Sequence, residues 1–244
     1  MLFRSPTITN NNDDIKFIPV SSGTGFAVSS TGHIVTNNHV IDDCTYVNIH
    51  YNRIAIRSTV LYRDPTNDLA LLQGDFVPPK VFNISRKNPE LMQEIFVAGY
   101  PFGNQVSSSV KVTKGIVSSL TGIGNNVSNI QIDAALQPGN SGGPIFDNKG
   151  NLIGVAVAKL DLNKVMKDWG VIPENTNFGI KSSVVVNLLE SNGITIPEVN
   201  NTSLSNIELG KMMSGATYQL SCWTTMTQAR KMEKSKVMFP DLFQ

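Results

Sequence analysis

An excess of either sign of charge is missing from this chain. Twenty Lys+Arg stand against nineteen Asp+Glu, a formal net charge of +1. The concentrated positive field that nucleic acid or an anionic membrane surface requires is therefore absent, and no nucleic acid is expected as a partner. Long hydrophobic runs are missing too. The longest clean one, Leu152 to Ala158, is interrupted by Gly154 and falls far below the roughly 20 residues that span a bilayer, so no integral membrane segment is expected. The opening Met1-Leu2-Phe3-Arg4-Ser5 runs straight into Asn10-Asn11-Asn12-Asp13-Asp14. That leaves no apolar core for a secretory leader, which predicts either a cytoplasmic protein or an incomplete N-terminus. Cysteine is scarce: Cys44 and Cys222 lack the C-x-x-C spacing of a metal or redox site, and two buried thiols are expected in preference to a single disulfide.

What is present describes an ordinary globular chain. Hydrophobic residues at 41%, with 19 Gly and 12 Pro, suit one large domain or two small ones and exclude disorder, collagen and coiled coil. From residue 15 to about 181 the segments are short, β-branched or aromatic, and separated by turn residues, the pattern of an all-β sandwich or barrel. Strands are expected at Gly25–Ser29, His33–Thr36, Tyr46–Ile49, Ile54–Tyr62, Leu69–Gln73, Glu94–Gly99, Ser109–Leu120, Asn129–Ile132, Gly143–Phe146, Leu152–Lys159 and Asn177–Ile180, with Asp147-Asn148-Lys149-Gly150 as a tight turn. Ser182-Ser183 then opens a helix with Val184, Val185, Leu188 and Leu189 on one face, ending at Asn192-Gly193. After a linker from Pro197 to Ser203, Leu204, Ile207, Met212, Met213, Ala216, Leu220, Trp223, Met226 and Ala229 keep three- and four-residue steps, which predicts one amphipathic helix. It ends in Arg230, Lys231, Lys234 and Lys236, cations that complement a helix C-terminus.

The segment richest in chemistry is Gly139-Asn140-Ser141-Gly142-Gly143-Pro144. Glycines let the backbone take a positive φ and let a substrate approach the main chain. Such a bend aims the amides of Gly139 and Ser141 at one point, as an oxyanion hole, with the Ser141 hydroxyl beside it. A serine hydroxyl is a weak nucleophile, so it needs a histidine base and a carboxylate that orients the base. Of three histidines, His33 adjoins a turn glycine, His50 ends a strand pattern, and His39 follows Thr36-Asn37-Asn38 at a strand end; Asp68 leads directly into the apolar strand Leu69-Ala70-Leu71-Leu72. The order His39, Asp68, Ser141, each in a distinctive local string, makes these three the candidate catalytic residues.

With Gly23-Thr24-Gly25-Phe26, Ile34-Val35-Thr36-Asn37-Asn38-His39-Val40, Asn67-Asp68-Leu69-Ala70-Leu71, Gly99-Tyr100-Pro101-Phe102-Gly103, Lys114-Gly115-Ile116-Val117-Ser118 and Asp133 through Pro144 on the page, the chain resembles the trypsin-like (chymotrypsin-fold) serine proteases, and within them the HtrA/DegP branch, over residues 21 to 195. The resemblance implies an all-β fold of two six-stranded antiparallel β-barrels with C-terminal helices. It implies a serine endopeptidase acting on unfolded or flexible polypeptides in protein quality control, in the periplasm or cell envelope. The chemistry requires no metal and no organic cofactor. The residue six positions before the nucleophile, Ala135, would floor the primary specificity pocket, with walls from Val155, Val157, Ala158 and Phe178 and with Lys159 near its entrance. An uncharged floor leaves a substrate Lys or Arg uncompensated, so small aliphatic side chains are expected there. Asn140 stands where secreted digestive relatives carry an Asp that pairs with a newly cut N-terminus. A neutral amide gives a buried ammonium no counter-charge, so control by loop ordering is expected instead.

The resemblance also frames the chain: an N-terminal extension over 1–20, the protease domain over 21–199, and a C-terminal amphipathic helical extension over 200–244, too short for the PDZ domain that HtrA proteins carry. For that last helix, packing against the barrel and a surface for self-association or partner docking both stay open. Two functions from another class also stay open: a pseudoprotease whose cleft only binds peptide, and a holdase chaperone.

Overall fold

The computed structural model describes residues 16–101, 109–158 and 176–237. Its first barrel is built from β1 (Phe17–Ala27), β2 (His33–Thr36), β3 (Tyr46–Tyr51), β4 (Ile54–Asp64) and β5 (Leu69–Gln73), with helix α1 (Asn38–Ile41) between β2 and β3. The second barrel uses β7 (Glu94–Gly99), β8 (Lys111–Ser119), β9 (Asn129–Ile132), β10 (Pro144–Phe146), β11 (Asn151–Val157) and β12 (Asn177–Lys181). The short β6 (Asn83–Ile84) lies parallel to β11 outside the ring that the β10–β11 pairing closes. Helix α2 (Ser182–Ser191) follows, then α3 (Asn206–Ala216), β13 (Thr217–Thr225) and α4 (Met226–Val237).

Alternation explains how two barrels share one interior. In β5, Ala70 and Leu72 point into the first barrel with Ile34, Ile41, Val47 and Ile49, whereas Leu69 and Leu71 join a cluster with Phe26, Phe82, Phe96, Phe146 and Leu189. β7 divides the same way: Ile95 and Val97 fill the second barrel with Val117, Ile130, Ile132 and Ile145, and Phe96 and Ala98 turn to the shared cluster. The shared cluster is thus the seam between the barrels. Both α2, through Val185, Leu188 and Leu189, and α3, through Leu209 and Met213, pack onto it.

The strand pattern from residue 15 to 181 appears as expected, with β1 beginning earlier, at Phe17, and β6 unanticipated. The turn Asp147–Gly150 is present: the Asp147 carboxylate accepts the N–H groups of Lys149 and Asn151, each at 2.9 Å. Ser182 does not cap α2 with its side chain; its hydroxyl donates to Ser85 O at 2.7 Å, tying the helix start to the residue after β6. The linker around Asn200 is anchored by reciprocal hydrogen bonds of 2.8 Å between Asn151 and Asn200.

The largest correction concerns the stretch read as one helix from Leu204 to Met232. Its middle, Thr217–Thr225, is a strand, and it closes the first barrel between β1 and β3 in the order β1-β13-β3-β4-β5-β2. β13 pairs with β1 from Phe17↔Thr225 to Phe26↔Thr217 and with β3 from Trp223↔Tyr46 to Gln219↔His50. Tyr218 and Leu220 join the first barrel's core. Residues 200–244 are therefore not a helical extension throughout. The apolar three- and four-residue steps coincide with a strand buried on both faces, where alternation is lost; the β-branched and aromatic Thr217, Tyr218, Trp223, Thr224 and Thr225 carry the contrary signal. The expectation of two thiols fails for the same reason: Cys222 on β13 lies opposite the segment after α1 and forms a disulfide with Cys44, Cα to Cα 5.3 Å.

Candidate active site

His39 sits on α1, directly after β2 delivers the chain out of the first barrel. Asp68 immediately precedes β5 and takes a positive φ of 54°, a conformation in which one residue serves the helix from several atoms. Its carbonyl accepts the N–H of Asn38 at 3.1 Å and the side-chain amide of Asn37 at 2.9 Å, and its Oδ1 accepts the N–H of His39 at 2.9 Å. Its Oδ2 lies 2.7 Å from His39 Nδ1. The ring and carboxylate are both only partly exposed, 19% and 28%. This contact makes Nδ1 the protonated nitrogen beside a carboxylate and leaves Nε2 free to accept a proton. Among the described residues neither of the other two histidines has a carboxylate partner. His33 faces the hydroxyls of Ser29 and Thr31, and His50 Nε2 faces Ser221 Oγ at 2.8 Å. Burial lowers the pKa of both.

Ser141 lies in the turn between β9 and β10 of the second barrel and is 5% exposed. Gly139 has φ 100° and Gly142 φ 81°. A side chain at Gly142 would collide with Thr24 O and Thr36 Oγ1 and stand 3.0 Å from Asn37 N. That crowding shows how tightly the turn is pressed against the residues leading into α1. Thr24 N donates to Ser141 O at 2.9 Å from the other side. The amides of Gly139 and Ser141 have no acceptor among the described residues, whereas Asn140, Gly142 and Gly143 donate to Gln137, Ala156 and Asn140 carbonyls. Two neighbouring donors are thus left for a ligand. The Ser141 hydroxyl accepts from Ala158 N at 3.2 Å, and no hydrogen bond joins it to His39.

The expected pocket residues fall on neighbouring strands. Ala135, exposed, follows β9; Phe178 pairs with Val157 across β11 and β12, and Ala158 comes directly after. Asn177, which the sequence reading did not single out, holds this wall together by donating to Ala134 O at 2.9 Å. Val155 instead belongs to the shared core and is fully buried, a correction that follows from the pairing of β10 and β11 on the inner side. Lys159 lies outside the described residues. Among the described residues no three of His, Cys, Asp and Glu converge on a metal position, and no helix is long and apolar enough to cross a membrane. Thr24 and Tyr100, in the strings Gly23–Phe26 and Gly99–Gly103, were not among the site residues expected from the sequence.

Known proteins resemble this chain in sequence and in fold. The family described as Trypsin-like peptidase domain matches residues 23–155. An uncharacterized protein, y4bJ, of Sinorhizobium fredii is 37% identical over 204 residues, 83% of this chain and 32% of the relative. A serine protease Do-like HtrA of Lactobacillus helveticus is 32% identical over 81% of this chain and 50% of its own length, and a probable periplasmic serine endoprotease DegP-like of Pseudomonas putida 37% identical over 55% and 28%. Among solved structures, the HtrA-type protease AlgW with decapeptide superposes with a TM-score of 0.58 at 27% identity, covering 69% of this chain and 50% of that one. The chain spans between about a quarter and a half of the length of these relatives.

Proposed function

Since the chain belongs to the trypsin-like peptidase domain family, we propose that it is a serine endopeptidase working through His39, Asp68 and Ser141. The observation that carries this reading is the His39 Nδ1 to Asp68 Oδ2 contact of 2.7 Å, with the unpartnered amides of Gly139 and Ser141 in the facing turn. His39 Nε2 takes the proton of Ser141 Oγ as that oxygen bonds to the scissile carbonyl carbon. The oxyanion so formed settles on the Gly139 and Ser141 amides. The C–N bond then breaks as His39 passes the proton to the leaving amine, and water releases the acyl group by the same steps in reverse order. Asp68 holds the imidazole in the needed tautomer and stabilises its cation. Each oxyanion donor supplies about 2.7 to 4 kcal/mol of transition-state stabilisation. In the resting arrangement the hydroxyl is engaged by Ala158 N, so substrate must draw it toward His39, consistent with catalytic hydrogen bonds that tighten only on binding.

The substrates would be unfolded or flexible polypeptides, cut after small aliphatic residues because Ala135 puts no charge beneath the side chain, in a quality-control role by likeness to the HtrA relatives. The Cys44–Cys222 disulfide suits the oxidising periplasm or cell envelope that the likeness suggests. The test is active-site labelling with a fluorophosphonate, followed by a cleavage-site profile on a denatured protein mixture. Stoichiometric modification of Ser141 that vanishes in His39→Ala supports the enzyme. An inert serine with retained peptide binding would establish a pseudoprotease instead, and cleavage after Lys or Arg would refute the pocket assignment.

A further inference from the structure

Gly139, at φ 100°, has no side chain to restrict its rotation, yet the proposed oxyanion hole requires its peptide to keep one orientation. One residue supplies the restraint. Thr24 is fully buried, and every polar group it has is engaged at the junction of the two barrels. Its hydroxyl donates to Gly139 O at 2.7 Å and accepts from Tyr100 N at 3.0 Å; its N–H donates to Ser141 O at 2.9 Å; its carbonyl accepts from Thr36 Oγ1 at 2.7 Å. A hydroxyl has one proton. With the Tyr100 N–H occupying a lone pair, that proton is directed to Gly139. Each pinned carbonyl belongs to the peptide unit that follows its residue, so holding Gly139 O and Ser141 O fixes those two units and limits the backbone rotation by which the Gly139 and Ser141 amides could change direction.

The clamp reaches the C-terminal strand by two routes. Thr24 pairs with Gln219 in the β1–β13 ladder. The Tyr100 hydroxyl, kept protonated by burial that raises its pKa, donates to Thr217 O at 3.1 Å, at the first residue of β13. Thr217 is itself buried, faces Phe26 in the β1–β13 register and donates its N–H to Met213 O, and its Oγ1 has no partner among the described residues.

Resting on the endopeptidase reading, we infer that Thr24 is a positioning residue for the oxyanion hole, and that Tyr100 makes its hold depend on the seating of β13 in the first barrel. Thr24→Val keeps the shape and removes the hydroxyl; Thr24→Ser restores it; Tyr100→Phe cuts the link to β13 alone. Using the full chain and a peptide substrate with a small aliphatic residue before the scissile bond, Thr24→Val should lower kcat about 100-fold with KM within about threefold, the signature of a lost transition-state interaction. Thr24→Ser should recover to within about fivefold of wild type, and Tyr100→Phe should fall about five- to tenfold. Amide exchange across residues 137–143 should quicken in Thr24→Val and Tyr100→Phe. Unchanged exchange in both would overturn the inference whether or not the protein is active, as would a Thr24→Val kcat within threefold of wild type. A wild type that takes no fluorophosphonate would defeat the endopeptidase reading alone, and the exchange data would still decide the clamp.

Discussion

The two barrels prepare their halves of the site differently. The first delivers a finished pair: His39 and Asp68 touch at 2.7 Å and Asp68 anchors the helix that carries His39 through three further hydrogen bonds. The second delivers an unfinished turn, in which two amides have no acceptor among the described residues and the Ser141 hydroxyl accepts from Ala158 N. Their construction is reversed. The second barrel's ring is made from chain between residues 94 and 181, whereas the first is closed by a strand that arrives last, from residues 217–225, and is stapled by a disulfide 178 positions apart in sequence. An acid–base pair needs only local geometry and comes preformed. On the proposed reading, an oxyanion turn must accept substrate, and its order would come from the opposite barrel through Thr24.

That contrast is easiest to break at the nucleophile. Ser141→Ala should reduce kcat by about 10⁶ with unchanged thermal unfolding, and equal activity in mutant and wild type would remove the second barrel from the chemistry. Asp68→Asn should cost about 10⁴ in kcat, because an amide no longer fixes the imidazole tautomer; as Asp68 also anchors α1, circular dichroism must show the fold intact for the loss to count. Opening the staple acts on stability instead. Cys222→Ala should lower the free energy of unfolding by about 2–5 kcal/mol in urea titrations, and an unchanged midpoint would mean that β13 is held by pairing alone.

The smallest expected effect concerns pH. His50 bonds to Ser221 on β13, and burial lowers its pKa below 6.5. Above pH 6.5 the ring is neutral in both states. Below it the unfolded chain takes the proton more readily, so folding stability declines as pH falls through and below 6.5. His50→Gln should flatten that decline between pH 7 and 5.5 in urea midpoints, and an identical slope would show that His50 does not couple β13 to pH.

Much of this was legible from residues in order. The strands that carry the site, from His33–Thr36 to Asn177, were marked by β-branched runs between turn residues, and His39, Asp68 and Ser141 by their local strings. Val155 was misjudged because it shares one face of β11 with Val157, and only position along the strand separates the fully buried residue from the half-buried one. β13 was hidden because a strand buried on both sides loses the period of two, and chance spacing of Leu220, Trp223 and Met226 imitates a helix.

Local chemistry, written in short strings of residues, determined by itself which family the chain joins, which residue types could act, and where most strands and turns before residue 182 fall. Tertiary structure alone decided that a late segment completes the first barrel, that Cys44 meets Cys222, and that Thr24 joins both carbonyls of the nucleophile turn. Those outcomes depend on contacts between distant positions, and the free energy that selects them, from filling one shared core and satisfying each buried polar group, belongs to no window of sequence.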